Sequence, residues 1–236
     1  MTDPAAKLTP SWTLASTSLR LVKQHFEQII FLFLLPGLVI GLGSILFGGD
    51  QLKGFTAMTN KQEMGLAILG TGYLWSLINF APSMYFRIQI AAGKQPTLSE
   101  CYRKGLPFFW RLVGLYLAAG LVLVAGFLLL IIPGIVLLVL FVRRYYLAAY
   151  YIVARHMDIG SALKQCRHDS QSVRPYIWGV FGIQILFGIA TASIGAINAI
   201  GVVPGLLIGL VPLFVPALRF HEIQGANVSA HAPIEE

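Results

Sequence analysis

The residues best placed to do chemistry in this 236-residue chain are two adjacent arginines, Arg143 and Arg144. They follow a stretch from Leu112 to Val142 that carries no charge. If a helix starts near Gly134, a rise of about 1.5 Å per residue puts Arg143 about 14 Å along it, close to a bilayer midplane. A guanidinium there costs roughly 3 kcal/mol or more. No carboxylate is at hand to pair with it, because all ten Asp and Glu lie outside the apolar runs, Glu27 bordering the first. Two readings stay open. The pair binds a phosphate or other anionic headgroup, with Arg155 and Arg174 completing the site; or the helix is short or tilted and both side chains snorkel to water.

Other chemistry is sparse. His25, His156, His168, His221 and His231 show no paired spacing for zinc, so neither metal nor cofactor is expected. The missing intramembrane carboxylate argues against a proton- or cation-coupled transporter, though not against a channel or uncoupled carrier. Gly43-Ser44 has no histidine in a later apolar run, which removes the support for an intramembrane serine protease. Arg167, six residues and Arg174-Pro175 resemble the first basic motif of membrane-bound lipid phosphatases. The nucleophilic histidine and the His-Asp pair of the two further motifs are missing. His168-Asp169 is adjacent in sequence, which does not suggest a base and its orienter. No enzyme is expected.

The elements that must position these residues follow from composition. Hydrophobic residues make up 56% of the chain and charged residues 11%, with a mean hydropathy of +0.73. Soluble domains carry roughly 25% charge, so the fold class expected is an all-α integral membrane protein. Apolar runs of about 20 residues mark crossings, at about 29–48, 64–86, 112–132, 134–154, 176–199 and 203–218. The second half of each long run opens at a Pro-Gly turn, Pro133-Gly134 and Pro204-Gly205. Residues 1–28 read as a cytoplasmic amphipathic segment and 221–236 as a disordered cytoplasmic tail. The first 28 residues hold no apolar run, so the first run is expected as a retained helix rather than a cleaved signal.

The net charge of +7 is set by topology rather than by nucleic acid, which is not an expected partner. With the N-terminus cytoplasmic, only Lys53 and Lys61 of the seventeen Lys and Arg fall on the outer side. The positive-inside rule therefore puts both termini in the cytoplasm. Cys101 and Cys166 are then free thiols in a reducing compartment. Thr97 and Glu100 have capping-box spacing for a short helix that leads to Phe108, Phe109 and Trp110, rings suited to headgroup level. Asp158 caps a second short helix over 159–168. Before the first crossing, Trp12, Ala15, Leu19, Val22 and Phe26 recur at helical spacing. That segment either lies along the inner leaflet or extends the first crossing into the cytosol. Gly37 and Gly41, and Gly201, Gly205 and Gly209, are spaced for close helix packing, within the chain or in a homo-oligomer. Asn79, Gln184 and Asn198 are expected to hydrogen-bond across the bundle, since an unpaired amide in hydrocarbon is costly.

An internal echo is visible. Leu98-Ser99-Glu100-Cys101 precedes Ile132-Pro133-Gly134-Ile135, and Leu163-Lys164-Gln165-Cys166 precedes Val203-Pro204-Gly205-Leu206. Leu35-Pro36-Gly37 marks a worn third copy, each unit being an interfacial helix, a crossing, an outer turn and a crossing. The stretch Ile131-Ile132-Pro133-Gly134-Ile135, Arg143, Tyr150 to Asp158 and Ser161-Ala162-Leu163-Lys164 resembles the six-helix membrane domain found beside glycerophosphoryl diester phosphodiesterases, which also occurs alone in YciC-like envelope proteins of bacteria. The resemblance covers roughly residues 95 to 220. It implies a bacterial plasma-membrane protein tied to lipids or envelope upkeep, without catalysis. The function expected is a non-enzymatic membrane protein whose basic cytoplasmic face, with Arg143, Arg144, Arg155 and Arg174, binds anionic phospholipid or a membrane partner. The alternative is a small permease or channel for an anionic solute or lipid, with Arg143 and Arg144 in its path.

Overall fold

The computed structural model describes residues 8–48, 60–129, 131–170, 173–197 and 202–231, and every regular element among them is helical. Among the described residues, three stretches are long and apolar enough to cross a membrane, Phe26–Leu46, Glu63–Ala91 and Leu98–Leu128, with a shorter apolar helix at Pro175–Thr191. Leu74, Leu117, Leu121 and Leu128 on these stretches are exposed, as lipid-facing residues of a bundle must be.

Helix α1, Ser11–Gln24, stops at His25, where the backbone leaves the helical region. It is neither a straight extension of the first crossing nor free of the bundle. Leu14, Ala15, Ser18 and Val22 are buried, and the helix lies against later helices (α10 and α12 below). Trp12, Leu19 and Phe26 stay exposed. The chain then runs through α2 (Phe26–Ile29), a π-helical turn (Ile30–Leu34) and α3 (Leu35–Gly48) without a gap. Pro36 explains the π turn. It has no N–H and its ring crowds the carbonyl four residues back, that of Leu32. Leu35-Pro36-Gly37 thus lies inside a helical stretch and is no outer turn, which removes the marker of the third sequence copy.

Helix α4 (Asn60–Ala91) packs closely on α3. A Cβ on Gly43 would sit 2.6 Å from the backbone nitrogen of Leu69, and one on Gly72 would sit 2.9 Å from that of Ile40. These two glycines, rather than the predicted set, let the backbones meet. Gly37 faces the Leu206 side chain and Gly209 faces Thr191. Gly205 is buried and Gly41 half-buried; Gly201 lies outside the described residues.

Helix α5 (Leu98–Gly105) begins at Thr97, whose hydroxyl accepts the Glu100 N–H as the capping box predicts. A 3-10 turn, Leu106–Phe108, leads into α6 (Phe109–Leu129). Helix α7, Ile131–Tyr145, returns beside it. Pro133 is the third residue of α7, where a missing N–H is harmless, so Pro133-Gly134 lies within a helix rather than at a turn.

The return predicted over 134–154 is not one helix. It breaks at Tyr146 and Leu147, and α8 (Ala148–Arg155) follows on a new course. Every residue from Leu147 to Val153 is buried, so α8 lies in the core and does not face lipid. Asp158 caps α9 (Ile159–Asp169) by accepting the Ser161 N–H at 3.1 Å. Helix α10 (Arg174–Ile197) and helix α11 (Val202–Gly209) pack together, and Pro204 again is the third residue of its helix.

The sixth predicted crossing is also broken. Residues 210–214 form tight turns in which the N–H groups of Leu210, Val211 and Leu213 donate to the carbonyls three residues back, and α12 (Val215–His231) starts afresh. Pro212 and Pro216 account for this, since neither can donate. Helix α12 continues to His231, past the point where the sequence predicts a disordered tail. Arg219, Phe220 and Ile223 are buried and hold its first turns on the bundle.

Candidate functional site

The helix breaks collect polar groups first. The Leu32 carbonyl that Pro36 cannot serve accepts from Asn79 Nδ2 at 3.3 Å, and the Phe31 carbonyl accepts from the same amide at 3.4 Å. Asn79 Oδ1 accepts from the Tyr102 hydroxyl. At the second break Tyr146 donates its hydroxyl to Gln184. Both amides thus bond across the bundle as expected; Asn198 lies outside the described residues. At the third break the Phe214 N–H donates to Ser18 Oγ of α1 at 3.0 Å, with Ser18 fully buried.

Arg219 is the one fully buried arginine among the described residues. It donates to Glu222 Oε2 at 2.7 Å, to the Thr9 carbonyl at 2.5 Å and to Ser11 Oγ at 3.4 Å. Its guanidinium lies 5.0 Å from the centre of the Tyr176 ring, and its Nε has no hydrogen-bond partner among the described residues. It ties the start of α1 to α10 and α12. Sequence reading counted it only as one inner cation; its place after the longest apolar run was the available signal.

Two adjoining clefts open where the ends of α4, α8 and α12 meet α5 and α6. The larger, about 670 Å³, is lined by Tyr85, Gln89, Arg103, Lys104, Pro107, Phe108, Arg111, Val153, Ala154 and His156. The smaller, about 250 Å³, is lined by Ile88, Gln89, Ala92, Lys94, Ala154, Arg155, Ala217, Phe220, His221 and Gln224. Gln89 and Ala154 belong to both, and neither lining contains a carboxylate. Glu100, outside both linings, is bonded to Lys104 at 2.6 Å.

The ridge between the clefts is the end of α8. Arg155 faces the smaller cleft and bonds to Gln224. His156, facing the larger, has a φ of 56°, the left-handed conformation that costs a side-chain-bearing residue energy. Two contacts hold it there: its ring lies 4.9 Å from that of Phe108, and its carbonyl accepts from Arg111 at 3.4 Å. Trp110, beside Arg111, is 78% exposed, the disposition of a ring at headgroup level.

Of the predicted arginines, Arg155 reaches this site. Arg143 and Arg144 belong to the last turn of α7, just before the break, and Arg174 opens α10. The side chains of all three lie outside the described part of the structure. Arg103, Lys104, Arg111 and His156 were missed as a site because three separate elements, α5, α6 and the end of α8, bring them together.

Asp169 is buried at the end of α9. It accepts from the Tyr151 hydroxyl at 2.5 Å and from Gln165 Nε2 at 3.0 Å. His168 Nδ1 lies 3.2 Å from Oδ1, the same oxygen that accepts from Gln165, so two neighbours in sequence do meet as a histidine and its carboxylate. The histidine side chain is 83% exposed; this carboxylate binds α9 to α8. Among the described residues no three His, Cys, Asp or Glu gather as metal ligands. Cys101 and Cys166 are buried free thiols, and burial pushes the Cys166 thiol up to about 12.

Comparison with protein-family models, with characterised proteins and with solved structures finds no match to this chain.

Proposed function

We propose that this chain is a non-enzymatic membrane protein of six crossings whose basic end faces the cytoplasm and binds anionic phospholipid. The larger cleft carries this reading. Arg103, Lys104, Arg111 and His156 converge on a lining without a carboxylate, beside the exposed ring of Trp110. Basic groups near an anionic leaflet gain about 1 kcal/mol each, and salt weakens them. In this reading α7 with α8, and α11 with α12, are the fourth and sixth crossings. The helix breaks and the early prolines common to both pairs support a repeated unit. The sequence resemblance to the six-helix domain of bacterial envelope proteins supports a plasma-membrane location.

The test is native mass spectrometry of the full chain offered equal amounts of phosphatidylglycerol and phosphatidylcholine. We expect wild type to retain the anionic lipid at least fivefold more. An Arg103→Ala, Arg111→Ala double variant loses that preference, while an Arg143→Ala, Arg144→Ala variant keeps it. Equal retention of the two lipids by wild type refutes the proposal. Loss confined to the second variant moves the anion to mid-membrane and favours a permease.

A further inference from the structure

We propose that the two adjoining clefts take one lipid whose headgroup carries two phosphate groups. This deepens the anionic-lipid reading and rests on it. Lys94 and Arg155 line one cleft, and Arg103, Lys104 and Arg111 line the other. Five cations stand on the two linings with no carboxylate among them. Lys104 is offset by Glu100, which leaves two guanidiniums for one phosphate, and an ammonium with a guanidinium for the other. Arginine suits this role because its planar fork matches phosphate oxygens.

The clefts are not independent. They share Gln89 and Ala154, and Arg155 and His156, consecutive in sequence, look into different ones. Two separate lipid headgroups side by side would bring their charges together over that ridge. Two phosphates on one headgroup avoid the second association: once one is seated, the other binds as an intramolecular step at high effective concentration. The ridge is built to stay in place. His156 is held in its left-handed conformation by Phe108 and Arg111, and such strain persists where surrounding contacts over-determine it.

The smaller cleft also has an unused donor. Gln224 accepts from Arg155 through Oε1, while its Nε2 is buried without a hydrogen-bond partner among the described residues. A buried polar group left so is costly, and a phosphate oxygen would satisfy it. The exposed Trp110 beside Arg111 sets the larger cleft at headgroup depth, which favours a lipid over a soluble anion.

The experiment titrates the full chain in neutral detergent, by native mass spectrometry, with diphosphatidylglycerol, phosphatidylglycerol and inorganic pyrophosphate. We expect diphosphatidylglycerol to bind at least tenfold tighter than phosphatidylglycerol per molecule, and pyrophosphate to bind weakly. Arg155→Ala or Lys94→Ala in one cleft, and Arg103→Ala in the other, each reduce that tenfold preference to less than threefold while phosphatidylglycerol still binds. Unchanged thermal unfolding of these surface variants shows that the loss is local. If both lipids bind alike and both need Arg103, the two-phosphate inference falls and the anionic-lipid reading stands. If neither lipid outcompetes phosphatidylcholine, the reading itself falls. Pyrophosphate binding as tightly as the lipid overturns the membrane source and makes the site one for a soluble diphosphate.

Discussion

Proline strands a carbonyl in the first crossing that an amide from another helix serves. Pro36 cannot donate to the Leu32 carbonyl, and Asn79 Nδ2 does so instead at 3.3 Å, with a second bond of 3.4 Å to the Phe31 carbonyl. Both are long for N–H···O bonds. Interhelical hydrogen bonds in membranes average about 0.6 kcal/mol, while a buried carbonyl left without a donor costs about 1–3 kcal/mol. Asn79 is 1% exposed, so water cannot replace it. Asn79→Leu, which keeps the branched heavy-atom skeleton but removes both polar atoms, should therefore destabilise the protein by about 2 kcal/mol, including the acceptor lost to Tyr102.

The decisive arm is a double-mutant cycle with Pro36→Ala. That substitution returns a backbone N–H to the turn, where it can reach the carbonyl that Asn79 serves. In the Pro36→Ala background, Asn79→Leu should cost only about 1 kcal/mol, a coupling well outside the ~0.3–0.5 kcal/mol scatter of independent sites. Tyr102→Phe on its own should cost about 1 kcal/mol. Reversible unfolding in mixed micelles with increasing denaturing detergent, followed by tryptophan fluorescence, reads all these variants. Trp75, whose ring is 5.7 Å from that of Phe31, reports on this region directly. If Asn79→Leu costs the same with proline or alanine at position 36, the amide does not stand in for the missing donor. The account of the π turn would then be wrong.

Other outcomes follow from buried and capped groups elsewhere. Arg219→Met removes bonds to Thr9 and Glu222; hydrogen bonds to charged groups are worth about 1.5–3 kcal/mol, and losing them should free α1. Hydrogen exchange of residues 8–18 should then rise at least tenfold, while exchange in α6 stays as in wild type. Burial pushes the Cys166 thiol up to about 12, so at pH 8 the folded protein holds almost none of the reactive thiolate. Maleimide should leave the folded protein unlabelled and react only after denaturation; rapid labelling of native protein would show α9 undocked. The Ser161 hydroxyl and N–H hold the Asp158 carboxyl below its ordinary value of 3.8. Its contribution to α9 is therefore complete above that value and fades as the pH falls further, through the lower folded-state value. Protection of the first turn of α9 should fall in that acid range for wild type and change little with pH for Asp158→Asn, which still caps.

What could be read from the sequence divides by range. Thr97 with Glu100 and Asp158 with Ser161 are contacts between neighbours, so type and spacing were enough to place α5 and α9. Apolar length showed that the chain is helical and suited to a membrane. It could not show that the stretches starting at 134 and 203 are broken. Those breaks depend on groups 38 and 196 residues away, Gln184 for Tyr146 and Ser18 for Phe214. The amide of Asn79 was recognisable as one that must bond across the bundle. Its acceptors were not, because Pro36 looked like a turn. The arginines drew attention through the cost of charge in an apolar run. The clefts are lined instead by ordinary cations from between the apolar runs, which only the packing of α4, α5, α6, α8 and α12 brings together.

The breaks and the clefts have a common cause. A helix of purely apolar sequence would run straight across the bilayer and carry its cations out into water on separate ends. Interrupting it leaves backbone groups that lipid cannot satisfy, and here the break at 30–34 takes Asn79 and the break at 210–214 takes Ser18. Once satisfied, the breaks let the chain change course. After the bend at Tyr146 and Leu147, α8 turns inward, buried from its first residue to Val153. Its end brings Arg155 and His156 against Gln89 of α4, and the redirected α12 brings His221 and Gln224 to the same place. An unbroken fourth helix would carry Arg155 straight on in line with Arg144, about 20° from it around the axis, instead of to the clefts. The polar residues inside this bundle therefore bear on the basic site even though none of Asn79, Gln184 and Ser18 lines it. Substitutions that straighten a break should dismantle the clefts before they remove a helix.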